Sequence, residues 1–208
     1  MKPFMNSPVL SRSEQKREQI LQAAKDLFCE QGFPNTSMDE VAKLAGVSKQ
    51  TVYSHFGCKD DLFVASIESK CLVHGVNQEV FSDPTMPEDS LLLFAKHFGE
   101  VITSPEAVTV FKACVAQADS HPELSELFYS AGPQHILGLL RDYLTRVSEL
   151  GVYHFANPHH CAVRLCLMIF GEMRMRLDLG LDVSDLLDTR EQYINETVEM
   201  FLRAYRVR

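Results

Sequence analysis

Apolar residues recur three and four positions apart along almost the whole chain, and runs that alternate at every second position are nearly absent. This is the periodicity of helices, not strands. Ile20, Leu21, Ala24, Leu27 and Phe28 share one face of a first helix, which opens at Ser11-Arg12-Ser13-Glu14 and stops at Gly32. The opening is a capping box, in which the serine hydroxyl and the glutamate three residues on satisfy each other's backbone N–H groups. Ser37-Met38-Asp39-Glu40 repeats the box before a short helix ending at Ala45-Gly46. A third helix begins at Ser48 and runs to about Phe56, and Gly57-Cys58 interrupts before a longer helix over 59–81.

Beyond the loop SDPTMPEDS the segments lengthen. Leu91, Phe94, Ala95, Phe98 and Ile102 make one apolar face. Ser104-Pro105 caps the next helix, with Val108, Phe111, Val115 and Ala118 on one side. His121-Pro122 and Gly132-Pro133 punctuate twice, leaving a short helix and then one carrying Ile136, Leu140, Tyr143, Leu144 and Val147 up to Gly151. Asn157-Pro158 caps a continuous helix over 158–180 with two apolar faces: Ala162, Leu165, Ile169, Phe170 and Met173 on one, Val163, Leu167, Met168, Gly171 and Met175 on the other. A helix apolar on two faces must be covered on two sides. The last helix, about 189–206, shows Tyr193, Ile194, Thr197, Val198, Phe201, Leu202 and Tyr205. The expected fold class is all-α. An arm over 1–12 precedes a small three-helix domain over 13–74, and a larger helical domain covers 75–208.

The two short helices joined through AGVS describe a helix-turn-helix: Ala42 is small where the helices cross, Gly46 permits the turn, and Val41, Val47 and Val52 fix the crossing. The second helix then projects Ser48, Lys49, Gln50, Thr51 and Ser54, hydrogen-bonding side chains of the length that reaches base edges or phosphates. On spacing alone, short capped helices with polar outer faces also suit any helical bundle. Lys49 is the one basic residue on the candidate reading helix.

The net charge of −8 argues against a polyanion partner until it is divided by region. Residues 1–60 hold eight Lys/Arg and seven Asp/Glu, whereas 61–208 hold twelve against twenty-one. The acidity therefore belongs to the second part. With no apolar run of the ~20 residues a membrane span needs and no secretory h-region, a cytoplasmic location and no membrane partner are expected. The six cysteines lack framework spacing and are expected to be reduced, mostly as small buried hydrophobes. His159, His160 and Cys161 are adjacent and point about 100° apart on a helix, so they do not converge on one ion. No metal or cofactor is expected.

The ordered run Ile20-Leu21, Ala23-Ala24, Leu27-Phe28, Gly32-Phe33, Thr36-Ser37-Met38, Val41-Ala42, Ala45-Gly46-Val47-Ser48-Lys49, Thr51-Val52-Tyr53, His55-Phe56, Lys59 and Leu62-Phe63 resembles the N-terminal domain of TetR/AcrR-type transcriptional regulators. SHPELSELFYSAGP and ELGVYHFANPHHCAVRL are more weakly similar to the C-terminal region of AefR-like members. The resemblance implies a homodimer that places the third helix of each subunit in a major groove of double-stranded operator DNA, and a C-terminal domain that binds a small ligand. It assigns Thr36 and Ser37 to phosphate, Lys49, Gln50 and Thr51 to bases or phosphate, and Tyr53, His55 and Lys59 to the DNA backbone. Tyr53 and His55 serve equally well as a local packing pair. Gln50 stands where the family commonly has Gly, and a glutamine can contact adenine bidentately. Cys58 stands where Ser commonly caps the fourth helix.

A ligand-responsive regulator, most simply a repressor released from a near-palindromic operator by a small apolar or amphipathic effector, is the reading these features favour. Phe94, Phe98, Phe111, Phe128, Met168, Phe170 and Met173 are core positions by default, and a subset is expected to line the effector cavity. The last two helices are expected to form the dimer interface. Three other readings remain open: a redox-responsive regulator whose switch is Cys58, a thiol at a helix N-terminus beside Lys59; an all-α enzyme, for which no catalytic constellation is visible; and a DNA-binding adaptor without ligand.

Overall fold

The computed structural model describes residues 11–208, so the expected arm over 1–12 lies almost wholly outside the described residues. Among the described residues eleven α-helices follow one another: α1 (Arg12–Glu30), α2 (Met38–Leu44), α3 (Lys49–Phe56), α4 (Lys59–Val73), α5 (Pro87–Thr103), α6 (Pro105–Ala116), α7 (Pro122–Tyr129), α8 (His135–Glu149), α9 (Pro158–Asp178), α10 (Ser184–Leu187) and α11 (Arg190–Tyr205). Among the described residues the extended pairing is one isolated antiparallel bridge, Tyr153 to Arg206. The chain divides into two compact units between Ser66 and Ile67, within α4.

Both capping boxes form. Glu14 and Glu40 accept the backbone N–H groups of Ser11 and Ser37 at 2.7 and 2.8 Å, and each serine Oγ accepts in return at 3.2 Å. In the first unit, Ile20, Leu21 and Ala24 of α1 meet Val41 and Ala42 of α2, Val52 and Phe56 of α3 and Leu62 of α4 in a closed apolar core. Phe28, Phe33 and Phe63 stack edge-on or tilted at one side of it, with centroids 5.0–5.7 Å apart.

In the second unit α5, α8, α9 and α11 enclose a core that includes Leu91, Phe94, Leu140, Tyr143, Leu165, Val198 and Phe201. Tyr143 is fully buried, and its hydroxyl donates to the carbonyl of Asp83 at 3.1 Å. A buried phenol without such a partner is destabilising.

Four expectations are corrected. The helix expected over 59–81 ends at Val73: Gly75 takes φ 72° and the Val76 N–H closes on the Cys71 carbonyl at 3.0 Å, a glycine-terminated helix end. Asn77 then caps a separate 3₁₀ turn over Gln78–Phe81. Gly132-Pro133 does not interrupt the chain. Ser130–Gln134 forms a π-type turn that carries α7 into α8, because the wider turn accommodates the donor that Pro133 lacks. On α6, Val115 and the neighbouring Ala118 are exposed, and the buried residue of the helix is Cys114. Finally α9 is not continuous: Gly171 sits at φ 54°, ψ −165°, so the helix breaks there and resumes. A Cβ at Gly171 would lie 3.1 Å from the Tyr193 hydroxyl, which itself donates to the Met168 carbonyl at 2.6 Å. Glycine is needed at this point both for the backbone angle and for the approach of Tyr193.

Candidate nucleic-acid interface

The turn between α2 and α3 is held by backbone bonds. The Val47 N–H reaches the Ala42 carbonyl at 3.0 Å around Gly46, whose φ is 67°. Ser48 then caps α3, its Oγ accepting from the Thr51 N–H at 3.1 Å and lying 2.8 Å from Thr51 Oγ1. With Val52 and Phe56 turned into the core, the 3.6-residue period leaves Lys49, Gln50, Tyr53 and Ser54 exposed on the opposite side. Gln50 has no hydrogen-bond partner among the described residues. The Lys49 ammonium pairs with Asp39 at 2.7 Å and lies 5.9 Å from the centre of the Tyr53 ring. That hydrogen bond to Asp39 raises its pKa above the ordinary lysine value. Both partners are well exposed, so the pair is weak and open to exchange for a phosphate.

The remaining candidates divide. Ser37 is exposed beside Glu40 and Ser54 donates to the Thr51 carbonyl at 2.8 Å, whereas Thr51 and His55 are half-buried, the His55 ring 6.2 Å from Phe56. Thr36, expected at phosphate, is buried, its hydroxyl donating to the Gly32 carbonyl at 2.9 Å. Lys59, expected on the DNA backbone, donates from Nζ to the carbonyls of Phe33 (2.8 Å) and Thr36 (3.1 Å), with the Phe33 ring 4.3 Å from it. It ties the start of α4 to the α1–α2 loop. Sequence spacing could not reveal this, because the acceptors are backbone atoms far away in the chain.

Cys58 is exposed and takes the capping role itself: its thiol donates to Asp61 Oδ2 at 3.1 Å and the Asp61 N–H approaches the sulfur at 3.4 Å. The cation that would activate it, Lys59, points at the two carbonyls. Elsewhere burial pushes the Cys71 and Cys114 thiols up to about 11 and the Cys166 thiol to about 12, as inert buried thiols require. Among the described residues no cluster of His, Cys, Asp and Glu could hold a metal ion.

The candidate effector-lining residues also separate. Phe94 and Phe98, stacked at 5.4 Å, belong to the closed core. Phe111 and Phe128 (6.0 Å apart), Met168, Phe170 and Met173 are half-buried. Between Phe111 and Phe170 lies a residue that sequence reasoning missed. Arg174 is 4% exposed, with its guanidinium carbon 4.6 and 5.2 Å from the two ring centres. Its Nε donates to Asp178 at 2.8 Å and its Nη1 to the Ile102 carbonyl at 2.7 Å. The available signal was an arginine with an aspartate four residues on, one turn away on the same helix.

Residues 20–66 match the bacterial regulatory proteins of the tetR family, and residues 89–207 match the AefR-like transcriptional repressor C-terminal domain. The chain belongs to the TetR family. A TetR-family transcriptional regulator from Mesorhizobium loti superposes with a TM-score of 0.74 at 27% identity, over 95% of this chain and 100% of that one. The flavonoid-responsive regulator FrrA does so with a TM-score of 0.71 at 30% identity, over 94% and 99%. The transcriptional activator FasR of Mycolicibacterium smegmatis is 40% identical over 67 residues, 31% of each chain, and the first curated relatives are matched over less than half of their length. As a TetR-family protein the chain is an all-α transcriptional regulator with a helix-turn-helix DNA-binding domain. Among the described residues no helix is long and apolar enough to cross a membrane.

Proposed function

We propose that this TetR-family chain is a ligand-responsive repressor that acts in the cytoplasm, binds a near-palindromic operator as a homodimer and is released by a small apolar or amphipathic effector. The observation that carries the DNA reading is the division of α3, with Val52 and Phe56 anchored inside while Lys49, Gln50, Tyr53 and Ser54 face out. Gln50 reads a base edge; Lys49, exchanging Asp39 for phosphate, fixes the register. Thr36 and Lys59 act from behind, shaping the α1–α2 loop so that Ser37 and the start of α2 meet the backbone.

The dimer reading rests on apolar side chains left exposed on the last long helices. Leu167 and Met175 of α9, on either side of its break, Leu179 at its end, and Tyr193 and Met200 of α11 are exposed. A second copy of the chain covers these faces and sets the two α3 helices about 34 Å apart, one turn of B-DNA. The effector favours a different separation and shifts the population away from the DNA-bound state. FrrA, similar over almost the whole chain, is by name flavonoid-responsive, which supports an effector in the C-terminal unit.

Light scattering of the free protein and of its operator complex tests the assembly. Two chains per operator are expected, and Leu167→Asp combined with Met200→Asp should give folded monomers that lose operator affinity by at least 100-fold, roughly the loss of one half-site. Full operator binding by such monomers would sink the dimer reading.

A further inference from the structure

Arg174 carries a feature the regulator reading does not use. Two of its nitrogens are engaged, on Asp178 and on the Ile102 carbonyl, but Nη2 is buried with no hydrogen-bond partner among the described residues. Its side chain is only 5% exposed, and the guanidinium lies over two aromatic rings, Phe111 from α6 and Phe170 from α9. Leaving a guanidinium N–H pair unpaired in such surroundings is destabilising, and native interiors satisfy such groups with protein, water or ligand. A second buried polar atom without a partner among the described residues, Gln117 Oε1, lies at the end of the helix that carries Phe111.

We propose that Arg174 Nη2 is the recognition point of the effector site, and that the ligand it takes is a neutral aromatic molecule presenting a carbonyl or phenol oxygen to that nitrogen, beside the rings of Phe111 and Phe170. This rests on the effector reading above and names its ligand class. The charge argument selects a neutral acceptor. Asp178, with its carboxylate 2.8 Å from Nε and largely buried, already neutralises the arginine. A carboxylate ligand would add a second buried negative charge with one cation to share, so it loses more hydration than it regains. A neutral oxygen fills the vacant hydrogen bond without that excess. The aromatic body follows from the surroundings of the guanidinium: it lies over the rings of Phe111 and Phe170, Phe128 is 6.0 Å from Phe111, and all three rings are half-buried, so a flat ligand reaching Nη2 meets aromatic edges. A ligand bearing a hydroxyl can in addition donate to an acceptor such as Gln117 Oε1.

The test uses three probes of one skeleton on the full chain, read by calorimetry: benzophenone, diphenylmethane, which lacks the oxygen, and diphenylacetate, which carries a carboxylate. Benzophenone should bind about tenfold more tightly than either of the others, the value of one hydrogen bond from a charged donor. Arg174→Lys keeps the charge beside Asp178 and removes the planar fork, and there the advantage should shrink to about twofold or less. Equal binding of benzophenone and diphenylmethane to the unaltered protein, no binding of benzophenone, or tighter binding of diphenylacetate overturns the proposal. The comparison on the unaltered protein stands even if the variant fails to fold. A gel shift run with and without benzophenone separates the two ideas: tight Arg174-dependent binding that leaves operator affinity unchanged retains the site and removes its role as effector switch.

Discussion

Replacing Lys59 by Met separates two accounts of that residue. The ammonium donates to the carbonyls of Phe33 and Thr36 and sits over the Phe33 ring. Charge-assisted hydrogen bonds are worth about 1.5–3 kcal/mol each, and a cation over an aromatic face about 0.5–1 kcal/mol more. Lys59 is half-buried and one ammonium serves all three contacts, so solvent screening and non-additivity reduce the sum to about 2 kcal/mol. Met retains the stem that packs along Phe33 and leaves the two carbonyls to water. Urea denaturation should show a loss of about 2 kcal/mol, with faster amide exchange in the α1–α2 loop. Operator affinity should fall through loss of order in that loop, while the slope of log affinity against log salt stays unchanged, since no phosphate contact is removed. Unchanged stability with a slope reduced by about 1 would show that Lys59 leaves its carbonyls for a DNA phosphate, and the reasoning would fail.

Other substitutions probe separate links. Gln50→Ala should relax base preference at one position of each half-site by about 1–3 kcal/mol without changing the salt slope; an equal loss on every sequence in a binding-site library would contradict its reading role. Ser48→Ala removes the cap of α3 and should cost about 1 kcal/mol in thermal unfolding, whereas Ser48→Gly should cost only a few tenths; equal effects would argue against the cap. The Glu40 carboxyl is held below its ordinary 4.5 by the Ser37 hydroxyl and then by the Ser37 N–H. A group with a depressed folded value stabilises above its ordinary value and loses that contribution as pH falls through the lower one. Protection of the Ser37 amide should therefore decline on acidification below 4.5, and Glu40→Gln should flatten that pH response; an identical response in the variant would refute the assignment.

What was legible in the chain was mostly what is local. The two capping boxes and the Gly46 turn each depend on residues within a few positions, and all form as the spacing implies. The inward set Val41, Ala42, Val52 and Phe56 follows from the helical period in the same way. What the pattern concealed depends on distant atoms. Gly171 in an apolar stretch reads as an ordinary helical residue until Tyr193 approaches it from another helix. Pro133 reads as a break until the wider turn absorbs it. The partners of Lys59, and the Ile102 carbonyl that Arg174 reaches, are backbone carbonyls contributed by other elements, and carbonyls carry no sequence signature. The exposed faces of α9 and α11 were visible as excess hydrophobicity, but periodicity does not say whether a cavity or a second copy covers them.

If α3 reads DNA, a gel-shift titration of the full protein against the DNA upstream of its own gene, at several salt concentrations, should show a shift that random-sequence competitor does not abolish and that weakens linearly in log affinity against log salt. Absence of any specific shift at the lowest salt would contradict it.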